Sequence, residues 1–328
     1  MLVTYNLKAF AFAVTVIMTA SLLRCVSVVG QLRVGFYAKT CPSAESIIRK
    51  VVQDSTADDP KIAAVLLRLQ FHDCFVQGCD ASILISTEHG EIEAGGNLGV
   101  GGFEIVEDAK TQLEGVCPGV VSCADIVALA ARDAVLSVQG PFYEVPTGRR
   151  DGRISSVSLA ENLPEVDDPI DILKSKFNNK GLSDTDLVLL SAGAHTIGLT
   201  ACFFMQTRLY NFNSSGGSDP AINPELLPQL QAKCPLGGDV NVKIPLDWGS
   251  ELTFDDQILR NIKNGFGVIA SDARLYDDDN TRRIIDSYVG LASADFMADF
   301  AGAMVKMGNI DVKTGLEGEI RRDCRRVN

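Results

Sequence analysis

Cysteine is the residue type that most constrains how this 328-residue chain can fold. Of the nine cysteines, Cys25 lies in an apolar N-terminal segment, and eight follow it: Cys41, Cys74, Cys79, Cys117, Cys123, Cys202, Cys234 and Cys324. An even number of cysteines in an oxidising compartment predicts disulfides, here four. Spacing alone leaves roughly a hundred pairings open. A zinc site at Cys74 and Cys79 is the alternative, but no second close pair accompanies them.

The N-terminal segment, residues 1–30, predicts a secretory signal peptide. Lys8 precedes an uncharged apolar run over residues 9–23, and small or branched residues end the segment at Gly30. An uncleaved membrane anchor is the alternative, but the run is shorter than the roughly 20 residues that span a bilayer. We therefore expect cleavage after Gly30 and a secreted chain without a membrane anchor.

Composition and charge exclude several classes of protein. The chain is 46% hydrophobic and 22% charged, which is typical of globular proteins and excludes disorder, collagen and simple coiled coils. The formal net charge of −12 repels phosphate backbones and anionic lipid surfaces. We therefore expect no nucleic-acid partner.

The spacing of apolar residues predicts a mainly α fold. Apolar positions recur three and four residues apart in most of the chain. Ser122 with Asp125, and Ser183 with Asp186, are capping-box patterns at helix starts, and Gly198 should end the helix that begins near Ser183. The helix that Ser122 begins is predicted over 122–138, and the other helices are predicted at 44–55, 61–73, 169–180, 254–264, 280–290 and 295–307. Long Gly- and Asp-rich connections at 86–102, 140–168, 211–224 and 235–253 are more often functional than idle.

Two of the chain's three histidines lie in patterns that indicate chemistry. Arg68 and His72 are four residues apart on a predicted helix and so share one face, and Val65, Leu66 and Leu69 supply apolar packing beside them. A permanent cation beside an imidazole on an apolar wall is costly unless a reaction uses it. A lone histidine there would more often be a core residue, and the arginine favours function.

The second histidine pattern is Ser191 to Gly198, with His195 inside it. Gly193 and Ala194 leave room for something flat and large to approach the helix. His195 has no nearby Cys or second His for a zinc site, yet a single imidazole suffices as an axial ligand to haem iron. Two helices that each carry one histidine favour a two-sided site.

Two clusters of oxygen-bearing residues predict calcium sites. The first is the loop from Asp73 to Ser82, where two carboxylates and a hydroxyl alternate with backbone carbonyls, the ligands that Ca²⁺ prefers. A solvated acidic turn is the alternative reading. A second, weaker cluster lies downstream at Asp247, Ser250, Thr253 and Asp255.

Together these motifs show a family resemblance. The strings RLQFHDCFVQGCDASILI, VSCADIVALAARD, VPTGRRDG, ENLP, AHTIG and GEIRRDC resemble those of the class III plant secretory haem peroxidases. The resemblance covers residues 31–326. It implies the haem peroxidase fold, in which two helical domains sandwich haem b: a distal domain at 31–170, completed by 318–328, and a proximal domain at 171–317.

The resemblance also implies roles for single residues on the two sides of the haem. On the proximal side His195 matches the iron ligand and Asp272 the carboxylate that accepts its other ring N–H. On the distal side His72 matches the acid/base and Arg68 the cation that stabilises developing charge. Asn97 and Glu91 would fix the tautomer of His72, Phe71 would shield the iron, and Pro164 would bind aromatic donors at the haem edge.

Further features that the resemblance implies are structural. The disulfide pairs are Cys41–Cys117, Cys74–Cys79, Cys123–Cys324 and Cys202–Cys234. The two calcium ions have a distal site at Asp73, Val76, Gly78, Asp80 and Ser82 and a proximal site at Thr196, Asp247, Ser250, Thr253 and Asp255. Asn213 is the N-glycosylation acceptor.

The sequence departs from the family pattern at several positions. Ile92 and Gly101 stand where the family usually has Lys and often has Arg, and His89 matches nothing catalytic, so we expect it at the surface. The run Ser191 to His195 is one residue longer than usual. An extra residue rotates the rest of a helix by about 100°, so a bulge or irregular turn must absorb it if His195 is to face iron.

We therefore expect an extracellular enzyme of the apoplast or cell wall, whose partners are hydrogen peroxide and small phenolic donors. It would reduce hydrogen peroxide to water and oxidise the phenols in one-electron steps, and we expect a monomer. One alternative is a secreted haem- or calcium-binding scaffold that lost catalysis through the extra residue near His195. Another is a secreted metallohydrolase that uses His72 and His195 to bind zinc.

Overall fold

A computed structural model describes residues 32–214, 216–290 and 294–328. The predicted signal peptide, residues 1–30, lies outside the described residues. The described chain is mainly α, as predicted, with one two-stranded sheet. Its α-helices are α1 (Ala44–Asp58), α2 (Ile62–Gln77), α3 (Phe103–Val116), α4 (Cys123–Ser137), α5 (Ile170–Asn179), α6 (Asp184–Val188), α7 (Gln206–Tyr210), α8 (Leu227–Lys233), α9 (Gln257–Lys263), α10 (Ala270–Arg274), α11 (Asp279–Tyr288) and α12 (Phe296–Met307).

Helices α1, α2 and α3 pack around α4, which contacts each of them. Every residue of α4 from Cys123 to Val135 is buried. The Ser122 hydroxyl caps this helix by accepting from the amide of Asp125. The carboxylate of Asp125 does not return to the cap. It forms a buried ion pair with Arg149 over 2.8 Å instead, so only half of the predicted capping box is present.

The second half of the chain packs around the segment that precedes His195. A π-helical stretch, Leu189–Gly193, continues α6 and contacts α9 and α12. The strands β1 (Leu199–Ala201) and β2 (Lys243–Pro245) then pair antiparallel, with Thr200 opposite Ile244. A small second core surrounds the Cys202–Cys234 disulfide in this half.

The four disulfides join the pairs that the family resemblance implies: Cys41–Cys117, Cys74–Cys79, Cys123–Cys324 and Cys202–Cys234. The third ties the C-terminus to the start of α4 across 201 residues of sequence. Backbone bridges from Arg150 to Lys313 and from Asp151 to Glu319 bring the C-terminal segment back to the first half. The domain boundaries at residues 170 and 318 stay predictions.

Several of the secondary-structure predictions are wrong. Helix α2 continues to Gln77, beyond the predicted end at residue 73, because Phe75 packs into the core and Gly78, with φ 88°, ends the helix. Helices α3, α7, α8 and α10 are not predicted at all. The inward face of α3, the longest of them, includes Lys110, whose buried ammonium donates to the Val121 carbonyl over 2.7 Å. A lysine on the buried face interrupts the apolar period that would have revealed the helix.

Candidate active site

The distal histidine, His72, is held by a chain of two hydrogen bonds. Its Nδ1 lies 2.6 Å from Oδ1 of Asn97, and Nδ2 of Asn97 donates to the main-chain carbonyl of Glu91 over 2.6 Å. Because that carbonyl can only accept, the amide oxygen of Asn97 faces the imidazole. The proton of His72 therefore lies on Nδ1, and Nε2 keeps its lone pair.

His72 is neutral over the whole physiological range. Burial, and after it the charge of Arg68, lowers the pKa of His72 to about 3. Arg68, one helical turn earlier, is itself mostly buried, and its guanidinium donates to the carbonyl of Leu98 over 3.1 Å. A neutral imidazole beside a fixed cation can accept a proton while the cation stabilises negative charge that forms nearby.

The proximal histidine, His195, has a carboxylate partner. Nδ1 of His195 lies 2.9 Å and 3.1 Å from the two carboxylate oxygens of Asp272 on α10. Asp272 is fully buried, whereas the side chain of His195 is 32% exposed. Since a carboxylate accepts the proton on Nδ1, Nε2 is left as an electron-rich nitrogen that can ligate a metal.

The extra residue before His195 is absorbed by the backbone, as the sequence requires. Helix α6 ends at Val188, and the next five residues, Leu189–Gly193, are π-helical before a 3₁₀ turn at Ala194–Thr196. A π-helical turn accommodates an inserted residue without rotating the helix beyond it by a full step. His195 therefore still reaches Asp272.

The two histidines belong to neighbouring segments. A Cβ on Gly198 would lie 2.7 Å from the Cβ of Ala64, so the chain after His195 touches the start of α2. His72 lies eight residues after Ala64 on α2, which is about 12 Å along the helix axis. The proximity of His195 is the least of the causes that lower the pKa of His72.

This arrangement fits a haem group. Neither Nε2 atom hydrogen-bonds to any other of the described residues, so the nitrogen of His195 is available to iron and that of His72 to a ligand of iron. Phe71 is half-buried beside His72, with its ring edge-on to the imidazole and stacked on Phe75 at 4.2 Å between centroids. Flat aromatic walls of this kind suit a porphyrin pocket.

The distal oxygen cluster contains buried oxygens without partners. Oδ1 of Asp73 has no hydrogen-bond partner, and Oγ of Ser82 and the Glu91 carboxylate lie near each other without forming a hydrogen bond of good geometry. Burial raises the pKa of Asp73 well above its usual value and that of Glu91 to about 7. Asp80, also buried, pairs with Lys313.

Two carbonyls complete the distal set. The main chain of Val76, at the end of α2, accepts a hydrogen bond from Lys180 over 3.0 Å. Gly78 sits so close to the Asp311 carbonyl that a Cβ there would lie 2.5 Å from it. The structure places Asp73 and Val76 in the last turns of α2, where sequence analysis expected a loop, and Gly78, Asp80 and Ser82 follow directly after the helix.

The proximal oxygen cluster is more fully hydrogen-bonded. The Ser250 hydroxyl lies 2.8 Å from Asp247 and 3.2 Å from Asp255, and the Thr196 hydroxyl donates to the Asp255 carbonyl over 2.9 Å. Burial is the main cause that raises the pKa of Asp247 to about 6. Thr253 joins the same turn by donating its amide to the Ser250 carbonyl.

Neither oxygen cluster contains many carboxylates. No group of three or more His, Cys, Asp and Glu side chains in residues 32–214, 216–290 and 294–328 is arranged to hold a metal ion.

Among the residues that the structure describes, no helix is long and apolar enough to cross a membrane. Asn213 lies in an exposed loop, and His89, with its side chain 89% exposed, lies at the surface as expected.

A helical fold with four disulfides, one histidine paired with a neutral amide and one paired with a carboxylate agree with a haem-dependent oxidoreductase. The family model described as Peroxidase matches residues 48–290. Peroxidase 13 of Arabidopsis thaliana is 63% identical over 305 residues, which cover 91% of this chain and 93% of the relative. Peroxidase 43 of the same plant is 59% identical over 302 residues, covering 90% and 92%. Peroxidase N1 of Nicotiana tabacum is 50% identical over 305 residues, covering 92% of each.

The chain therefore belongs to the peroxidase family. It is an oxidoreductase that acts on hydrogen peroxide and a donor substrate, and membership implies a haem cofactor. This identity removes the basis for the zinc metallohydrolase alternative. It also agrees with the four disulfides and the mainly α fold.

Several residues that complete the site were not predicted. Lys313 contacts Asp80, and Lys180 contacts the Val76 carbonyl, from positions more than a hundred residues away in sequence. Their signal could not be found in a single sequence, because neither lysine lies in a motif. Glu91 was predicted to support His72, but the sequence could not show that its main-chain carbonyl is the acceptor, since any residue supplies a carbonyl.

Proposed function

We propose that this chain is a secreted, class III-type haem peroxidase that oxidises small phenols, with His195 as iron ligand, His72 as acid/base and Arg68 as charge stabiliser. One observation carries the proposal: the two histidines differ in their Nδ1 partner. His72 is paired with the neutral Asn97 and His195 with the anionic Asp272.

Reduction of hydrogen peroxide needs one nitrogen that acts first as a base and then as an acid. Haem supplies the iron and the electrons for cleavage of the O–O bond when it is bound. Nε2 of His72 takes the proton from one oxygen of hydrogen peroxide and returns it to the other, which leaves as water. Arg68 stabilises the charge that builds as the bond breaks. Overall, one hydrogen peroxide and two phenols give two waters and two phenoxyl radicals.

We assign roles to the residues around the two histidines from the same contacts. Asn97, fixed by the Glu91 carbonyl, keeps the proton of His72 on Nδ1. Asp272 makes His195 a stronger electron donor to iron, which favours O–O cleavage. Phe71 shields the site from bulky molecules, so phenolic donors react at the haem edge, where Pro164 binds them.

Calcium at both oxygen clusters is part of the proposal. A cation would satisfy the buried Oδ1 of Asp73, which has no hydrogen-bond partner, and the buried hydroxyl of Ser82, because a buried acceptor without a partner is costly. Thr196, Asp247, Ser250, Thr253 and Asp255 would hold the second ion. We expect a strong chelator to lower the thermal unfolding temperature and the activity together. A protein indifferent to the chelator would contradict both sites.

Secretion and modification are proposals of the same kind. Relatives of this family are plant peroxidases, and the predicted signal peptide would direct the chain to the apoplast or cell wall, where Asn213 could carry a glycan. The monomeric state stays a prediction.

The test of the function uses the purified, secreted full-length chain. We expect a Soret absorption band and turnover of guaiacol with hydrogen peroxide. A haem-loaded protein without turnover would support the scaffold alternative. A colourless protein after oxidative refolding with hemin would contradict the proposal altogether.

A further inference from the structure

The segment Leu163–Asp168, here called the donor strap, carries Pro164 and lies between the two halves of the active site. On the distal side, the buried side chain of Leu163 packs against Gly96, where a Cβ would come within 3.3 Å of it. Gly96 precedes Asn97, the residue that holds His72. The strap therefore begins in contact with the loop that supports the distal histidine.

A single lysine fastens both ends of the strap. The ammonium of Lys176, on α5, donates to the Leu163 carbonyl over 2.8 Å and to the Asp168 carboxylate over 2.7 Å. The same carboxylate accepts from the amide of Glu165 over 2.8 Å. Lys176 thus fixes the main chain immediately before Pro164 and, through Asp168, the main chain immediately after it.

The strap is also fastened to the proximal side. Nη1 of Arg274 donates to the main-chain carbonyl of Asp168 over 2.7 Å. Arg274 lies on α10, two residues after Asp272, which holds His195. The strap therefore bridges the loop beside Asn97 and the helix that carries Asp272.

We propose that Lys176 and Arg274 are positioning residues that hold Pro164 in its donor-binding position. The inference rests on the proposed function, because it assigns a task to these two residues at the same donor edge. If donors bind only when the strap is in place, their apparent affinity falls with the fraction of molecules in which it is in place. The peroxide step does not depend on the strap, because Asn97 has its own anchor at the Glu91 carbonyl.

The experiment compares two lysines of the same helix. Lys176 is 19% exposed and Lys174 is 23% exposed, and Lys174 pairs with Asp184 and Asp278 instead of the strap. In Lys176→Met we expect KM for a phenolic donor to rise about five- to tenfold, a size typical of losing one ordinary hydrogen bond, because the ammonium of Lys176 is partly exposed to solvent. The rate constant with hydrogen peroxide should stay unchanged. Lys174→Met should change neither quantity, and Lys176→Arg should restore most of the donor KM.

A second readout does not depend on turnover. Hydrogen exchange of the strap amides, followed by mass spectrometry on the haem-loaded protein, should be faster in Lys176→Met and Arg274→Met than in the wild type or Lys174→Met. Unchanged exchange together with an unchanged donor KM would overturn the inference. So would an equal loss in the peroxide step, since that indicates general damage. Failure of the proposed function would appear differently, as absence of turnover in the wild type.

Discussion

His72 and His195 are the same residue type in two contrasting environments. His72 is almost fully buried, its Nδ1 pairs with a neutral amide, and a guanidinium lies one turn away on the same helix. His195 is partly exposed, and its Nδ1 pairs with the fully buried carboxylate of Asp272. The two rings thus differ in what surrounds them, not in their own chemistry.

The difference shows how the partner on Nδ1 decides what Nε2 can do. An amide neither adds nor removes charge, so His72 stays a weak, neutral base that can give its proton back. A carboxylate makes the ring of His195 more anionic and a better metal ligand. The same fold therefore assigns proton transfer to one ring and iron ligation to the other.

The largest expected effect is on the proximal side. We predict that His195→Ala loses nearly all bound haem, because no other nitrogen in the described residues is backed by Asp272. The haem absorbance per protein after gel filtration measures this. His89→Ala removes an exposed histidine and serves as the control. Normal haem content in His195→Ala would refute the ligand assignment.

The corresponding variant on the distal side, His72→Ala, should keep its haem and lose its reaction with hydrogen peroxide. In His72→Ala we expect the rate constant with hydrogen peroxide, measured by stopped flow, to fall about a thousand-fold or more, the range for a lost general acid/base. The Soret band should remain. An unchanged rate constant would exclude His72 as the acid/base, and simultaneous loss of haem would show that the two rings do not have separate tasks.

The pH profile sharpens the distal half of the comparison. Because the pKa of His72 is about 3, the peroxide rate should stay level as the pH falls from 7 to 4 and decline only near 3, when the ring becomes protonated. Arg68→Gln removes one cause of that low pKa, so the decline should move to higher pH. The rate at pH 7 should also fall about a hundredfold or more. Arg68→Lys keeps the charge, and its decline should not move.

The smallest effect concerns the proximal partner. Asp272→Asn gives His195 the kind of partner that His72 has, and we expect haem affinity, measured by hemin titration, to fall about 10- to 100-fold. Asp295→Asn, at the N-cap of α12, is a control for removing a carboxylate elsewhere. Equal haem affinity in the Asp272→Asn variant and the wild type would show that the carboxylate does not tune the ligand.

Much of the site could be predicted from the sequence because its key residues lie in short motifs. Arg68 and His72 are one turn apart, and the extra residue before His195 required an irregular turn, which the π-helical stretch Leu189–Gly193 provides. The spacing of apolar residues failed to predict a helix where a polar side chain is buried. Buried Lys110 concealed α3.

Long-range contacts could not be predicted for a different reason. Lys176, Arg274 and Lys313 each contact the main chain or a carboxylate far away in sequence, and a single sequence does not record which carbonyl a side chain will reach. The reach depends on how the helices pack, so these residues became visible only in the folded chain.

The central claim is that His195, made electron-rich by Asp272, is the iron ligand. Resonance Raman spectroscopy of the reduced, haem-loaded protein measures the iron–imidazole bond directly. We predict an iron–histidine stretching band in the wild type that shifts to lower frequency in Asp272→Asn, because the weaker partner leaves the ring less anionic. A spectrum without that band, or a band at the same frequency in both proteins, would contradict the account.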